Sequence, residues 1–237
     1  MCGRLSLKTD PRLLAEIFGI GIPFALRPRY NIAPTQQTLM IRSVDQARVA
    51  GMARWGYIPR WRKRGEKGPE PINARSETAG SSRLFAEALR QRRCIIPASG
   101  FYEWQAVAGQ RAKRPFHIEP VGSDVFALAG LWSRWQPHDG APVESFTILT
   151  CAPNEVMRPI HDRMPVILPP ESIDAWLDPA IDDVPGVSGI PGVLRPAPAA
   201  SIQAREVSMR INNPKHDDER CLDPVPETGP ETLFVLE

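Results

Sequence analysis

Apolar residues recur at helical spacing in three segments of the chain, and each predicts a helix. Residues 11–19 carry the clearest pattern, with a proline at the start and a glycine at the end, where helices favour these residue types. Residues 82–92 repeat the spacing, with Ser81 or Ser82 as the expected N-cap and arginines at the C-terminal end, where positive charge is favourable. A short third helix is expected over residues 171–177.

Alternation of apolar and polar residues predicts strands in most of the remaining chain. It begins over residues 37–58, after a proline-broken extended segment at 27–36. From Cys94 onward, short β-rich pieces are separated by Gly, Pro and Asp: CIIPASGFYEWQ, PFHIEP, VFALAGLWSRW and SFTILTCA. Two segments have no periodicity: residues 61–70, expected to form a mobile basic loop, and residues 184–199, expected to form a surface excursion.

These patterns predict an α+β fold. We expect a largely antiparallel β-sheet or open barrel flanked by short helices, in a single domain spanning residues 1–237. The chain shows no internal repeat and no segment that separates two independent cores.

Composition does not change the predicted fold, but it argues against several classes of protein and several kinds of site. Hydrophobic residues make up 42% of the chain, which is ordinary for a globular protein, and no run of about 18 apolar residues or signal peptide is present. Membrane insertion and secretion are therefore not expected, and a cytoplasmic location is. The four cysteines are widely spaced and none forms a C-x-x-C pair, so we expect reduced thiols, no disulfide framework, no metal site and no cofactor.

Charge is distributed unevenly behind a formal net charge of +2. Residues 1–93 contain 18 Lys or Arg and 7 Asp or Glu, whereas residues 94–237 contain 11 and 20. Arginine outnumbers lysine 24 to 5, and a planar guanidinium binds phosphate oxygens in a two-pronged contact or stacks on a base. A polyanionic partner is one interpretation. The other is that the two halves neutralise each other in the folded protein.

The chain opens with Met1-Cys2-Gly3-Arg4, which suggests a reactive terminus. Removal of Met1 would leave an α-amine and a thiol on one residue, with ordinary pKa values of about 7.7 to 8.0 and about 8.5. Such a 1,2-aminothiol forms a Schiff base with an aldehyde through nitrogen and closes to a thiazolidine through sulfur, or attacks an acyl carbon through sulfur alone. An early cysteine without any chemical role is the alternative.

Seven separated motifs resemble those of the SRAP family, the SOS response-associated peptidase or abasic-site-processing proteins. They are MCGR at the start, RYNIAPTQ at 29–36, RWGYIP at 54–59, INARSET at 72–78, RRCIIPASGFYEW at 92–104, AGLW at 129–132 and HDRMPVIL at 161–168. The resemblance covers most of the chain in order. It implies that Cys2 crosslinks covalently to the aldehyde of an abasic site in single-stranded DNA, shielding the lesion in the DNA damage response.

The resemblance also implies roles for four residues. Cys2 is the nucleophile, and Asn73 orients the reacting terminus. Glu103 is the general acid/base of sugar ring opening, which suits a carboxyl whose pKa its apolar neighbours raise. His161 handles the Schiff base or the reversal of the crosslink. Each residue type also has an ordinary structural explanation: a turn amide for Asn73, a surface carboxylate for Glu103 and a core imidazole for His161.

Further residues are expected to contact DNA. Three arginines beside the catalytic motifs would bind the phosphates that flank the lesion, and a tryptophan would stack on a neighbouring base. These residues are Arg4, Arg75, Arg163, Trp61 and Trp104. Arg75 has a competing interpretation as the partner of Glu77 or of a backbone carbonyl, and the segment around Trp61 does not align with a family motif.

Two other functions remain open at this level. An N-terminal-nucleophile cysteine peptidase or amidohydrolase also begins with Cys2 followed by Gly3, and self-cleavage at Met1 or lyase-type Schiff-base chemistry would fit the same residues. A non-covalent single-strand-binding module would use Arg and Trp alone. The expected partner is single-stranded DNA with abasic sites, with replication-fork junctions as a candidate setting, and the expected state is a monomer, nucleoid-associated when bound to DNA.

Overall fold

A computed structural model of the chain describes residues 2–63, 65–137, 140–181 and 193–225. Its strands are β1 (Leu5–Leu7), β2 (Arg29–Ile32), β3 (Gln37–Val44), β4 (Ala47–Trp55), β5 (Asn73–Arg75), β6 (Arg93–Ala98), β7 (Gly100–Gln105), β8 (Arg114–Pro120), β9 (Phe126–Trp135), β10 (Val143–Cys151), β11 (Met164–Pro165) and β12 (Ile202–Glu206). Its α-helices are α1 (Pro11–Phe18), α2 (Ser76–Ala79), α3 (Ala86–Gln91) and α4 (Ile173–Leu177), and 3₁₀ turns cover Pro170–Ser172, Ala199–Ser201, Met209–Asn212 and Glu219–Leu222.

Five strands close into a barrel. Antiparallel pairing runs from β4 through β3, β6 and β9 to β10, and a parallel pairing of β10 with β4 completes the ring. Strands β5 and β11 extend from β10 at one end. The expected α+β fold with a largely antiparallel sheet or barrel is confirmed, and the barrel is closed rather than open.

The other five strands form a fully antiparallel sheet in the order β12-β8-β7-β1-β2. One face of this sheet joins the main core, where Leu5, Phe101 and Ile118 pack in the same buried cluster as the barrel side chains. The opposite face carries a smaller cluster around Tyr102 and Ile211. Because side chains alternate along a strand, neighbouring residues of β7 point into different clusters.

The helices follow the sequence patterns only in part. Helix α1 is confirmed: the Asp10 side chain accepts a hydrogen bond from the Arg12 amide, and Gly19 ends the helix at a φ of 61°. The helix predicted over 82–92 begins only at Ala86, because Ser82 caps the preceding turn through the Leu84 amide instead. Helix α4 forms behind a 3₁₀ turn, and α2 escaped prediction because four residues are too short for a periodic signal.

The two unpatterned segments have different outcomes. Residues 61–63 and 65–70 form neither helix nor strand, as expected. Most of the predicted excursion at 184–199 lies outside the described residues. No helix in the described part of the chain is both long and apolar enough to cross a bilayer. The single domain over residues 1–237 stays a prediction.

Candidate active site

The register of β1 against β7 brings the N-terminus to a buried carboxyl group. Leu5 pairs with Phe101, and the Tyr102 amide donates to the Arg4 carbonyl at 3.0 Å. Extended toward the terminus, this antiparallel register places Gly3 opposite Glu103, and the adjacent Cys2 is close enough for the Glu103 charge to act on its thiol. Both residues are buried, with 0% of Cys2 and 2% of Glu103 exposed.

Asn73 reaches the same terminus from the barrel. It is the first residue of β5, which runs parallel to β10, and its Nδ2 donates to the Cys2 carbonyl oxygen at 2.8 Å. Its Oδ1 is buried and accepts no hydrogen bond from the described residues. A buried acceptor without a donor is costly, and this amide oxygen therefore has unused hydrogen-bonding capacity.

His161 completes the group from a turn that precedes β11. The His161 amide donates to the Met157 carbonyl at 2.8 Å, and the Gln105 side chain donates to the Pro159 carbonyl at 2.9 Å, which ties this turn to β7. As a result, Nε2 of His161 lies 3.9 Å from Oε2 of Glu103. The four predicted catalytic residues therefore converge, although they come from four separate parts of the chain.

Burial shifts the proton affinities of all three titratable groups in this cluster. It raises the pKa of the Cys2 thiol far above its ordinary range, and the nearby Glu103 charge raises it further. Burial, with a smaller contribution from Asp162, raises the pKa of Glu103 to about 7. Burial also lowers the pKa of His161. A carboxyl that titrates near neutrality is suited to give and take protons in a reaction at neutral pH.

The predicted DNA-contacting residues do not form one group. Arg75, at the end of β5, is exposed, and within the described ranges its guanidinium has no hydrogen bond or ion pair. Arg163 is the partner of Glu77 instead: its two Nη atoms donate to the two carboxylate oxygens at 2.7 Å each. The direct ion pair of Glu77 is thus with Arg163, and Arg75 acts on the Glu77 carboxylate only through its charge.

Arg4 and Trp104 lie together on the sheet face opposite Glu103, since Trp104 follows Glu103 in β7. The Arg4 guanidinium lies 5.8 Å from the centroid of the Trp104 ring. Arg4 also donates to the Asn31 side chain at 2.6 Å and to the Ile211 carbonyl at 2.8 Å, so the protein fixes its direction. Trp61 is 61% exposed, and within the described residues no hydrogen bond or ring contact joins it to this site.

Three residues of the site escaped prediction. Asn31 is fully buried and holds Arg4, Glu77 holds Arg163, and Gln105 ties the His161 turn to β7. Asn31 and Glu77 lie inside the motifs RYNIAPTQ and INARSET, so a polar residue within a motif was the available signal. Gln105 ends a strand and carries no such signal.

Other features of the molecule lie apart from this group. A cavity of about 550 Å³ opens between α1 and residues 193–201, and none of the predicted catalytic residues lines it. Within the described residues, no three His, Cys, Asp or Glu side chains are arranged to hold a metal ion.

The chain is similar to a family profile, to several named proteins and to a solved structure. The family profile described as "SOS response associated peptidase (SRAP)" matches residues 1–214. The abasic site processing protein YoqW of Bacillus subtilis (strain 168) is 38% identical over 226 residues, covering 94% of this chain and 99% of YoqW. The abasic site processing protein YedK of Escherichia coli (strain K12) is 31% identical over 236 residues, covering 95% and 100%. A crystal structure of a Bacteroides thetaiotaomicron protein superposes with a TM-score of 0.83 at 25% identity, covering 94% of this chain and 100% of the other.

Proposed function

Because the chain belongs to the SOS response-associated peptidase (SRAP) family, and relatives of similar length are named abasic site processing proteins, we propose that it processes abasic sites in DNA. The specific reaction is a covalent thiazolidine crosslink between Cys2 and the ring-opened abasic sugar of single-stranded DNA. The observation that supports it is the convergence of Asn73, Glu103 and His161 on Cys2. The aminothiol arises once Met1 is removed from the Cys2 nitrogen.

The reaction balances without an oxidant or a metal. The closed sugar opens as its C1′–O4′ bond breaks, when the C1′ hydroxyl loses a proton and O4′ gains one. The Cys2 amine then attacks the C1′ aldehyde, and loss of the aldehyde oxygen as water gives a Schiff base. Attack of the sulfur on C1′ closes the five-membered ring, and the thiol proton ends on nitrogen. One water is released, and C1′ has gained one bond to nitrogen and one to sulfur.

Each residue has a role that its surroundings support. Glu103, with a pKa of about 7, is present in both protonation states near neutrality, so it can protonate O4′ and accept the proton of the C1′ hydroxyl. Asn73 holds the Cys2 carbonyl through Nδ2 and offers its unused Oδ1 to the α-amine. His161 faces Glu103 and exchanges protons with the Schiff base during closure or reversal.

An abasic site in a single strand suits this buried site. Reaching Cys2 requires the sugar to leave the line of the backbone, and an unpaired strand bends at lower cost than a duplex. The exposed Arg75 and the Arg4–Trp104 pair offer phosphate and stacking contacts to such a strand. We propose that the protein acts as a cytoplasmic monomer, associated with the nucleoid when bound, and that fork junctions are one setting.

The deciding experiment is denaturing electrophoresis of the purified protein with single-stranded DNA that carries one abasic site. Intact DNA and the Cys2→Ala variant are the controls, and intact mass spectrometry verifies removal of Met1. A band that survives denaturation, requires the lesion and requires Cys2 is expected. Its absence from a preparation with a free Cys2 amine would overturn the crosslink and direct attention to the peptidase or amidohydrolase alternative. Salt-reversible binding without lesion dependence would instead identify a plain single-strand-binding module.

A further inference from the structure

The Arg163 side chain is already held by hydrogen bonds within the protein in the absence of DNA. Its two Nη atoms donate to the two carboxylate oxygens of Glu77 at 2.7 Å each, and Nη2 also donates to the Thr150 carbonyl at 2.6 Å. Only 14% of its side chain is exposed. A two-pronged arginine–carboxylate contact fixes direction as well as distance, and this one joins α2 and β10 to the segment that follows His161.

The backbone of Arg163 contacts His161 directly. The Arg163 amide donates to Nδ1 of His161 at 3.0 Å. An imidazole nitrogen that accepts a hydrogen bond carries no proton, so the neutral ring bears its proton on Nε2, the atom that faces Glu103 at 3.9 Å. The direction of the Nε2 proton therefore depends on where the Arg163 amide is held.

One neighbour opposes this arrangement. Oδ1 of Asp162 lies 2.8 Å from the same Nδ1 and favours a proton there. The Asp162 side chain is 85% exposed, so solvent weakens its charge, whereas partial burial of the ring disfavours the doubly protonated form. The balance favours a neutral ring with its proton on Nε2, provided that the Arg163 amide stays in place.

We propose that Glu77 is a positioning residue that acts through Arg163 to hold His161 with its Nε2 proton directed at Glu103. This role rests on the proposed function for its effect on crosslinking, but its effect on the imidazole does not. The alternative role for Glu77 is competition with DNA phosphate for Arg163. The two roles predict opposite results when the carboxylate is neutralised.

The test is Glu77→Gln in the full chain, with Glu144→Gln as the matched control. Glu144 lies in β10 and, like Glu77, accepts a hydrogen bond from an arginine, in this case from Arg42 at 2.9 Å, but it belongs to no part of the site. Three quantities are compared with the wild type: affinity for intact single-stranded DNA, the single-turnover crosslinking rate at saturating abasic DNA, and the His161 tautomer from ¹⁵N NMR of the imidazole.

If Glu77 is a positioning residue, neutralising its carboxylate should change the crosslinking rate and the His161 tautomer but not the DNA affinity. Glu77→Gln should keep its DNA affinity within about twofold, lose about tenfold or more of its crosslinking rate, and show a His161 tautomer shifted toward Nδ1–H. Glu144→Gln should match the wild type throughout. Tighter DNA binding with an undiminished rate would overturn the proposal in favour of phosphate competition, and an unchanged rate and tautomer would overturn it outright.

Two further measurements keep the result decisive. If Glu77→Gln does not fold, Arg163→Lys keeps the positive charge and the backbone amide but replaces the two-pronged contact with a single ammonium. It is then expected to lose rate and shift the tautomer while retaining affinity, and unchanged values would overturn the proposal. A wild-type protein that forms no crosslink would refute the proposed function, whereas the tautomer would still report on Glu77.

Discussion

Oε2 of Glu103 and Nε2 of His161 lie 3.9 Å apart, and burial shifts the pKa values of the two groups in opposite directions. Loss of solvent disfavours the charged form of each, which raises the pKa of the carboxyl and lowers that of the imidazole. Near neutrality Glu103 is therefore present in both protonation states, whereas His161 is mainly neutral. The two groups face each other beside Cys2 without the full cost of burying an ion pair.

Glu103→Gln should slow crosslinking by about 10² to 10⁴-fold, the usual contribution of a positioned acid/base. The pH profile supplies the sharper test. Donation to O4′ requires the protonated carboxyl, which is lost as pH rises through about 7, while the amine gains reactivity as pH rises toward its own ordinary pKa of about 8. The wild-type single-turnover rate should therefore be bell-shaped, and the variant should lack the fall on the alkaline side. A variant with the wild-type rate and profile would remove Glu103 from the chemistry.

Asn73→Ala should slow the reaction at Cys2 by up to about tenfold, because one hydrogen bond of about 1 kcal/mol to the Cys2 carbonyl is lost. Single-turnover crosslinking at saturating DNA measures this effect. Intact mass must be recorded on the same preparation, because retention of Met1 would abolish the aminothiol and mimic a larger loss. An unchanged rate with Met1 fully removed would show that the terminus is oriented without Asn73.

The sequence indicated the four candidate catalytic residues, but not the arrangement of the side chains around them. Each of these residues lies in a sequence motif: Cys2, Asn73, Glu103 and His161. A motif can be recognised without knowledge of the fold. The ion pair of Arg163 with Glu77 spans 86 positions and depends on α2, a helix too short to show periodicity. The sheet face occupied by Arg4 and Trp104 depends likewise on strand register, which pairs residues distant in the chain.

Gly100 is a second feature whose structural role could not be predicted from the sequence. A Cβ atom at Gly100 would lie 2.2 Å from Nε2 of His117 and 2.7 Å from the Ile118 carbonyl oxygen. The space above this glycine lets His117 cross β7 and contact the Ser6 hydroxyl of β1 at 3.0 Å. This buried contact links β1, the strand that follows Cys2, to β8 across β7, the strand that carries Glu103. The sequence shows a glycine at this position, but not the imidazole ring that occupies the space a side chain would fill.

Gly100→Ala should therefore destabilise the protein by about 1 to 3 kcal/mol or more, because neither the buried imidazole nor the backbone oxygen has room to move. Urea unfolding at neutral pH measures the change. Gly21→Ala is the matched control, since a Cβ there meets nothing within 4 Å. Equal stability of the two variants would mean that the β7 region relaxes freely around His117.

Arg75 differs from Arg163 in what DNA would have to displace. Arg163 already donates to Glu77 and Thr150, whereas Arg75 is exposed and, within the described ranges, makes no hydrogen bond or ion pair. A free guanidinium gains a full phosphate contact and releases a counterion, so Arg75→Gln should weaken binding to intact single-stranded DNA.

The slope of log affinity against log salt should fall in magnitude by about 0.7 in Arg75→Gln, as expected for one single-strand phosphate contact. Arg42→Gln, which removes an arginine already paired with Glu144 and lying 4.7 Å from the Trp132 ring centroid, should leave the slope unchanged. If both variants reduce the slope equally, DNA senses the overall positive charge. The predicted contact at Arg75 would then be wrong, and the path of the strand would have to be assigned from Arg4 and Trp104 instead.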